Sequence, residues 1–404
     1  MPAINNPKGP LLLLMVNMFI AMLGIGLIIP ILPDFLKEFG AGGQTAGYLI
    51  AATGLTQFIF SPIVGELSDK YGRKILIVTG LALFTLSQLL FAIAGDVWLL
   101  YVSRLLGGIG AAAMIPPMMA FVADITTEDN RGKGMGMIGA AMSLGFVVGP
   151  GVGGFLAEVS LRMPMYVSAG VAGAALILSL IVLPETLSKE KQLAARSQVV
   201  KRDSIIKQLI HSTKAPYFVP LILVFALTLG LISFETVFPL YAKYSYQFTT
   251  KEISVVITVG ALAGTIIQAL LIDKVLRKFG ETKLISLSFF AAALCMVFML
   301  ISGNFWYVLG VSLLFFVFTA IMRPAINTLL SKMAGEEQGF VAGMNNAYMS
   351  VGNIVGPAIA GNLFDIHVNI PYLFGAMILV VGVFICSTWA SRRHLTDQKV
   401  AIQD

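Results

Sequence analysis

Twelve apolar runs dominate this chain, each near the roughly twenty residues a helix needs to cross about 30 Å of hydrocarbon. They fall near 11–33, 46–65, 75–94, 97–122, 134–157, 165–183, 218–240, 252–272, 283–302, 305–330, 339–363 and 370–390, six on either side of the polar stretch 184–216. Hydrocarbon offers backbone polar groups no partners, so runs of this length must satisfy themselves as helices. With 57% hydrophobic and 12% charged residues, against about 25% charged in a soluble domain, there is too much apolar surface for a water-soluble core. The expectation is an all-α membrane protein of twelve transmembrane helices in two six-helix bundles. Its parts are an N-terminal bundle at 1–183, a linker at 184–216, a C-terminal bundle at 217–391 and a tail at 392–404. The first 33 residues do not read as a cleaved signal peptide: Leu11–Ile29 is too long, and Pro30 and Pro33 stand where small residues would be needed.

The halves echo each other. Gly145-Phe-Val-Val-Gly149-Pro150-Gly-Val-Gly153-Gly154 returns 207 residues later as Gly352-Asn-Ile-Val-Gly356-Pro357-Ala-Ile-Ala360-Gly361. In the same register Pro117 pairs with Pro324, Gly136 with Gly343 and Met142-Ser143 with Met349-Ser350. A second string, Asp69-Lys70-x-x-Arg73-Lys74, recurs as Asp273-Lys274-x-x-Arg277-Lys278. Duplication of a membrane-spanning half is a common build for secondary transporters.

Basic residues orient the chain, because Lys and Arg accumulate in cytoplasmic loops. With a cytoplasmic N-terminus, only Lys37, Arg162, Lys243 and Lys251 fall outside, Arg104 and Arg323 lie within spans, and the rest of the 27 are cytoplasmic. Both termini are therefore expected in the cytoplasm. The net charge of +6 follows from topology, with no nucleic-acid partner implied. The linker reads as a solvated tether with a short amphipathic helix around Ile205–Ile210. Cys295 and Cys386 lie in apolar runs without ligand spacing, and His211, His367 and His394 fall in loops or tails, so no metal site is expected. No P-loop or Ser/His/Asp arrangement appears, which excludes nucleotide-driven and hydrolytic chemistry and leaves an ion gradient as the energy source. One charge crossing 100 mV releases about 2.3 kcal/mol, equivalent to roughly fiftyfold accumulation.

Glu235 stands out, since it lies well inside the run Leu221–Tyr241. A carboxyl there costs about 2.5–3.5 kcal/mol on insertion scales and is a functional residue by default; it can exchange a proton for a lipophilic cation. Arg104 and Arg323 also need partners within their spans. Gly145, Gly149 and Gly153 recur every fourth residue, forming a face on which backbones can pack closely, and Pro150 removes a helix hydrogen bond beside it. That face is expected to meet the opposite half, as is its duplicate with Gly352, Gly356 and Pro357. Gly65 and Gly72 permit close approach and a tight turn, while Asp69 and Arg73 can exchange partners as helices slide. Asp273 and Arg277 then imply a symmetric latch in the second half. Asp34, at the end of the first span, reads as an interfacial cap.

Gly65-Glu-Leu-Ser-Asp69-Lys-Tyr-Gly72-Arg73-Lys74 resembles the loop signature between helices 2 and 3 of the major facilitator superfamily. Arg104 with Gly107, Gly108 and Gly110 resembles its helix-4 motif, and Gly145–Gly154 the helix-5 motif of its drug–proton antiporters. Phe234-Glu235-Thr236 and Arg323-Pro324-Ala325 place the resemblance nearest the Gram-positive multidrug exporters of the NorA and Bmr type. The resemblance implies the major facilitator fold with a central cavity, in a multi-pass plasma-membrane protein that is not an enzyme. It implies export of lipophilic or cationic drugs, dyes and fluoroquinolone-like compounds by a monomer in the bilayer, with protons as coupling ion and no cofactor. Glu235, Arg104 and Arg323 would couple protons. Met22, Ile25, Ile29, Gln57, Phe316 and Asn345, with Glu235 and Arg323, would contact substrate. Met15, Met18, Met22, Ile25 and Ile29 follow helical spacing in the first run; adaptable Met suits a promiscuous surface, and the rings of Phe234, Phe238, Phe316 and Phe318 attract cations. Ala320 stands where some of these exporters carry a second acid, leaving Glu235 to act more nearly alone. The competing readings are a proton symporter for a sugar or other nutrient, opposed by the helix-5 motif and the scarcity of polar side chains, and a receptor or scaffold without transport, opposed by the lack of a sizeable soluble domain.

Overall fold

The computed structural model describes residues 8–197, 205–335 and 337–401; the side chains of Lys8, Asp129, Ile206, Asp273 and residues 392–401 lie outside that description. Among the described residues the chain is helical throughout, with no strand. The helices are α1 (Lys8–Gly26), α2 (Leu32–Lys37), α3 (Gly43–Tyr71), α4 (Arg73–Ala92), α5 (Val97–Ile125), α6 (Glu128–Ala157), α7 (Met163–Val182), α8 (Lys189–Ser197), α9 (Ile205–Ser212), α10 (Phe218–Tyr246), α11 (Thr250–Phe279), α12 (Glu281–Phe298), α13 (Phe305–Ala334), α14 (Gln338–Ile366) and α15 (Ile370–Ala401). Twelve are long; α2, α8 and α9 are short. Eleven are apolar and long enough to cross a membrane. The twelfth, α14, has 29 residues, and Asn345, Asn346, Asn353 and Asn362 lower its hydropathy.

Contacts divide the chain into unit 1, Met1–Lys201 with Thr249–Thr258, and unit 2, Arg202–Phe248 with Val259–Asp404. The start of α11 thus packs with unit 1. Within unit 1, α1 packs on α6 and α7, and α4 on α5 and α7; within unit 2, α10 packs on α14 and α15, and α12 on α13 and α15. These pairings repeat the duplication seen in the sequence.

Helix ends follow local chemistry. Asp96 accepts the Leu99 amide at 2.8 Å to cap α5, and Asn304 accepts those of Trp306 at 3.0 Å and Tyr307 at 3.3 Å to cap α13. Trp98 and Trp306, the second residues of these equivalent helices, are both exposed, as suits rings anchoring helix ends at a membrane interface. Buried polar side chains tie unit 1 together. Gln88 donates to Gly24 O at 3.1 Å and to Ser168 Oγ at 2.7 Å, while Asn17 donates to Ser179 Oγ at 2.9 Å.

The first run departs from expectation. The helix stops at Gly26, and residues 27–31 form turns in which Ile29 N donates to Gly26 O at 3.2 Å and Ile31 N to Ile28 O at 3.2 Å. Ile29 is therefore off the α1 face, and the helical series ends at Ile25. Asp34 opens α2 and accepts a hydrogen bond from Thr250 Oγ1 at 2.7 Å.

The glycine faces also differ from expectation. Methyl groups built on Gly145, Gly149 and Gly153 would lie 2.4 Å from Phe19 O, 2.8 Å from Gly26 Cα and 2.2 Å from Leu27 O. These three glycines close on α1 and on Leu27 just beyond it, inside unit 1 and beside Pro150, while methyls on Gly151 and Gly154 would meet Thr258 and Ser254 of α11. The duplicate face closes on α10 inside unit 2, with Gly352 nearest Thr228 and Gly356 nearest Leu229 O at 3.4 Å. Backbones approach because glycine leaves room; Ala360, in the place of Gly153, marks the second seam as looser.

Candidate transport site

Glu235 sits on α10 between Phe234 and Thr236, which are 2% and 3% exposed; Glu235 itself is half-buried. Phe234 stacks on Phe315 at 4.1 Å and Phe238 at 5.3 Å, and meets Phe316 and Tyr372 edge-on at 5.8 Å and 6.1 Å. Offset and edge-on rings of this kind add attraction beyond area burial, so the backbone beside Glu235 is rigidly held. Arg323, on α13 and exposed, is within electrostatic reach of the Glu235 carboxyl. A lone carboxyl and a guanidinium beside an aromatic cluster can hold and release a proton and attract a flat cationic molecule.

The remaining residues of unit 2 are placed unequally. Phe316 is 9% exposed and its ring fills the space a methyl on Gly260 would need. Ala320 Cβ lies 3.1 Å from a methyl built on Gly264, on the α11 seam. Asn345 is half-buried and its Oδ1 is buried without a hydrogen-bond partner. Phe318 and Phe316 do not share one environment: Phe318 is half-buried and absent from the ring contacts around Phe234.

In unit 1, Met18 and Met22 are core residues with Met114 and Met118, and Met15 and Ile25 pack against them. Met22 also borders the Gly145 seam. Gln57 is half-buried on α3, its carbonyl accepting from Ser61 Oγ at 2.6 Å. The Arg104 guanidinium lies 4.2 Å from the centre of the Phe91 ring, and its buried Nη2 has no hydrogen-bond partner. A cation on a ring face is attracted by the ring quadrupole while keeping donor capacity.

The Asp69–Arg73 string forms a charge cluster at the α3–α4 turn. Arg73, 9% exposed, reaches Asp69 Oδ1 at 2.6 Å, Asp124 Oδ2 at 3.3 Å and Ser68 Oγ at 2.9 Å. Gly72 makes the turn at φ 107°, where a side chain is strained. Gly65, by contrast, has open space around it and makes no close approach. Ser68, Asp124 and Thr186, which complete the cluster, are ordinary polar residues in sequence and carry no signal of this role. A sequence signal existed for Glu185, the first charged residue beyond the sixth apolar run.

The second string does not repeat this arrangement. In unit 1 the helix break at Gly72 falls inside the string, placing Arg73 at a helix start. In unit 2 the string lies wholly within α11, and the break follows at Gly280, φ 72°. Arg277 is an exposed residue near a helix end, and the Asp273 side chain lies outside the described residues. The expected symmetric latch therefore falls partly outside the described residues; beyond the break, Lys332 pairs with Glu281 at 2.5 Å. The linker is not a free tether. Glu185, Thr186 and Arg196 bond to unit 1, and Ser212 on α9 bonds to Tyr348 in unit 2 at 3.0 Å. Among the described residues no His/Cys/Asp/Glu group is arranged to hold a metal.

The family model described as Major Facilitator Superfamily matches residues 14–357 and 269–401. Multidrug resistance protein 2 of Bacillus subtilis (strain 168) is 41% identical over 392 residues, covering 97% of this chain and 98% of that protein. Quinolone resistance protein NorA of Staphylococcus aureus (strain MRSA252) is 36% identical over 370 residues, covering 91% and 93%. Among solved structures, a POT family transporter in complex with 5-aminolevulinic acid aligns with TM-score 0.76 at 14% identity, covering 96% of this chain and 97% of that one. At that identity the likeness is one of fold.

Proposed function

This chain belongs to the Major Facilitator Superfamily, and we propose from that premise that it exports lipophilic and cationic drugs, dyes and fluoroquinolone-like compounds in exchange for protons by alternating access. The observation that carries the reading is Glu235: a carboxyl within an apolar span, set beside a stacked aromatic cluster and within reach of the Arg323 charge. The names of the relatives, a multidrug and a quinolone resistance protein, support the substrate class. Glu235 takes up the coupling proton and gives it up as a cation approaches; Arg323 offsets the bare carboxylate, and Arg104, with its unfilled donor, assists. Phe316 and Asn345 contact substrate in unit 2. The glycine seams at Gly145–Gly153 and Gly352–Gly356, with Pro150 and Pro357, act as rigid seams of the moving units. The Arg73 cluster gates one end.

The distribution of basic residues supports a plasma-membrane protein with both termini cytoplasmic, acting as a monomer. The test is dye accumulation in everted vesicles. Energised vesicles containing the wild type take up an ethidium-like dye, an uncoupler abolishes this, and Glu235→Gln reduces it to background. Dye uptake indifferent to uncouplers would end the coupling assignment.

A further inference from the structure

Glu185 follows Pro184 directly after α7, where Leu183 leaves the helix in an extended conformation. Its carboxylate seats on the start of α4: Oε1 accepts from Arg73 N at 2.9 Å and Oε2 from Lys74 N at 3.1 Å. These amides are among those a helix leaves unpaired at its first turn, and the helix dipole favours an anion there. Gly72 makes the seat possible, since a methyl at that position would lie 2.3 Å from Glu185 Oε2. The next residue holds the other end of the same arginine. Thr186 Oγ1 donates to Asp124 Oδ2 at 2.9 Å, the oxygen that also accepts from Arg73 Nε at 3.3 Å. Farther along, Arg196 Nε donates to Lys70 O at 2.9 Å, and its guanidinium lies 4.8 Å from the Tyr71 ring centre.

We propose that Glu185 and Thr186 are positioning residues for transport, holding the Arg73 cluster by its backbone and its guanidinium at once. Arg73 is a cation at a helix start, the unfavourable end for the dipole; Asp69, Asp124 and Glu185 offset that together. Any pull on the segment 184–196 therefore moves the first turn of α4 and the Asp124–Arg73 pair as one piece. Its effect falls on the rate of the transport cycle, because none of these residues belongs to the Glu235 site. The proposal rests on the transport reading above.

The experiment uses the full-length protein, wild type against Glu185→Gln, Thr186→Val and Thr186→Ser. Gln keeps the shape of Glu but turns an amide NH2 towards a backbone N–H; Val removes only the Thr186 hydroxyl; Ser retains it. In proteoliposomes, Glu185→Gln and Thr186→Val lower the maximal rate of dye transport about tenfold, the effect of losing one charge-assisted hydrogen bond. The dye concentration at half-maximal rate stays unchanged, and Thr186→Ser keeps the wild-type rate. In detergent, limited trypsin cuts after Arg196 faster in both loss variants than in wild type. Should Glu185→Gln not fold, Thr186→Val carries the same comparison. Wild-type rates in the loss variants, a parallel change in half-saturation, or cleavage after Arg196 at the wild-type rate would each overturn the proposal. A wild-type protein that moves no dye defeats the transport reading instead, and the trypsin result still decides whether the segment holds the cluster.

Discussion

Gly149 of α6 lies directly against Gly26 of α1, so close that a methyl on Gly149 would sit 2.8 Å from the Gly26 Cα. The contact is backbone on backbone and cannot yield by a rotamer change. Gly149→Ala is therefore expected to cost at least the about 1–3 kcal/mol typical of overpacking. Gly356, its repeat partner, has its nearest neighbour at 3.4 Å, an ordinary contact distance. Gly356→Ala should stay within about 0.5 kcal/mol of wild type. Thermal unfolding of the purified variants checks this, and equal losses at both positions would refute the difference in seam tightness.

Arg73 and Arg277 hold matching places in the repeated string, yet Arg73 is 9% exposed with Asp69, Asp124 and Ser68 around its guanidinium. Arg73→Ala leaves two carboxylates partly buried without their cation, at a cost of about 2–3 kcal/mol once solvent screening of the exposed Asp69 is allowed for. Arg277→Ala, at an exposed position, should change stability by no more than about 0.5 kcal/mol. Denaturation midpoints of the two variants test the asymmetry.

Tyr217, just before α10, donates its hydroxyl to Glu337 Oε2 at 2.7 Å. Burial, together with the bond to and the charge of Glu337, pushes the phenol up to about 12. Because the folded state holds this proton more tightly than the unfolded chain, with its ordinary value near 10, the stabilisation is fully present below about pH 10 and is lost as pH rises towards about 12. Tyr217→Phe should cost about 1–2 kcal/mol at pH 8, and its deficit should shrink above pH 10. A deficit that stays constant from pH 8 to 12 would contradict this. Melting temperature against pH for both proteins is the measurement.

Phe234 anchors the aromatic cluster beside Glu235. Phe234→Ala removes a ring that is 2% exposed and should cost about 3–5 kcal/mol, while Phe234→Leu should cost less and keep most of the fold. If the cluster holds Glu235 in place, Phe234→Leu also lowers dye transport in vesicles at wild-type protein levels. Unaltered transport would separate the rings from the site.

Much of this architecture was legible in the chain. The apolar runs announce the helices because hydrocarbon dictates their length, and the Gly-Pro echo announces the doubling. Glu235 is visible because a charge within an apolar run has few structural excuses. Other features gave no such signal. The break after Gly26 hides in residues as apolar as the helix before it, so Ile29 could not be separated from Met22 and Ile25. The glycine faces revealed that something packs closely without revealing what: α1 and α10, each within its own unit, were as acceptable as the opposite half. Asp124, at the end of α5, and Glu185, beyond α7, are distant in sequence from the Arg73 they serve.

By itself the sequence determined the helical spans, the duplication, the family and the residue on which proton exchange is proposed to turn. These follow from solvent and from repetition, which act on each segment without reference to the others. Tertiary structure decided which helix each glycine face closes on, and made one copy of the charged string a buried cluster while the other stayed an exposed helix end. The reason is physical: the break at Gly72 cuts through the first string and turns Arg73 inward towards Asp124, whereas the second string runs unbroken along α11. Identical spacing on either side of a turn and along a helix points side chains in different directions.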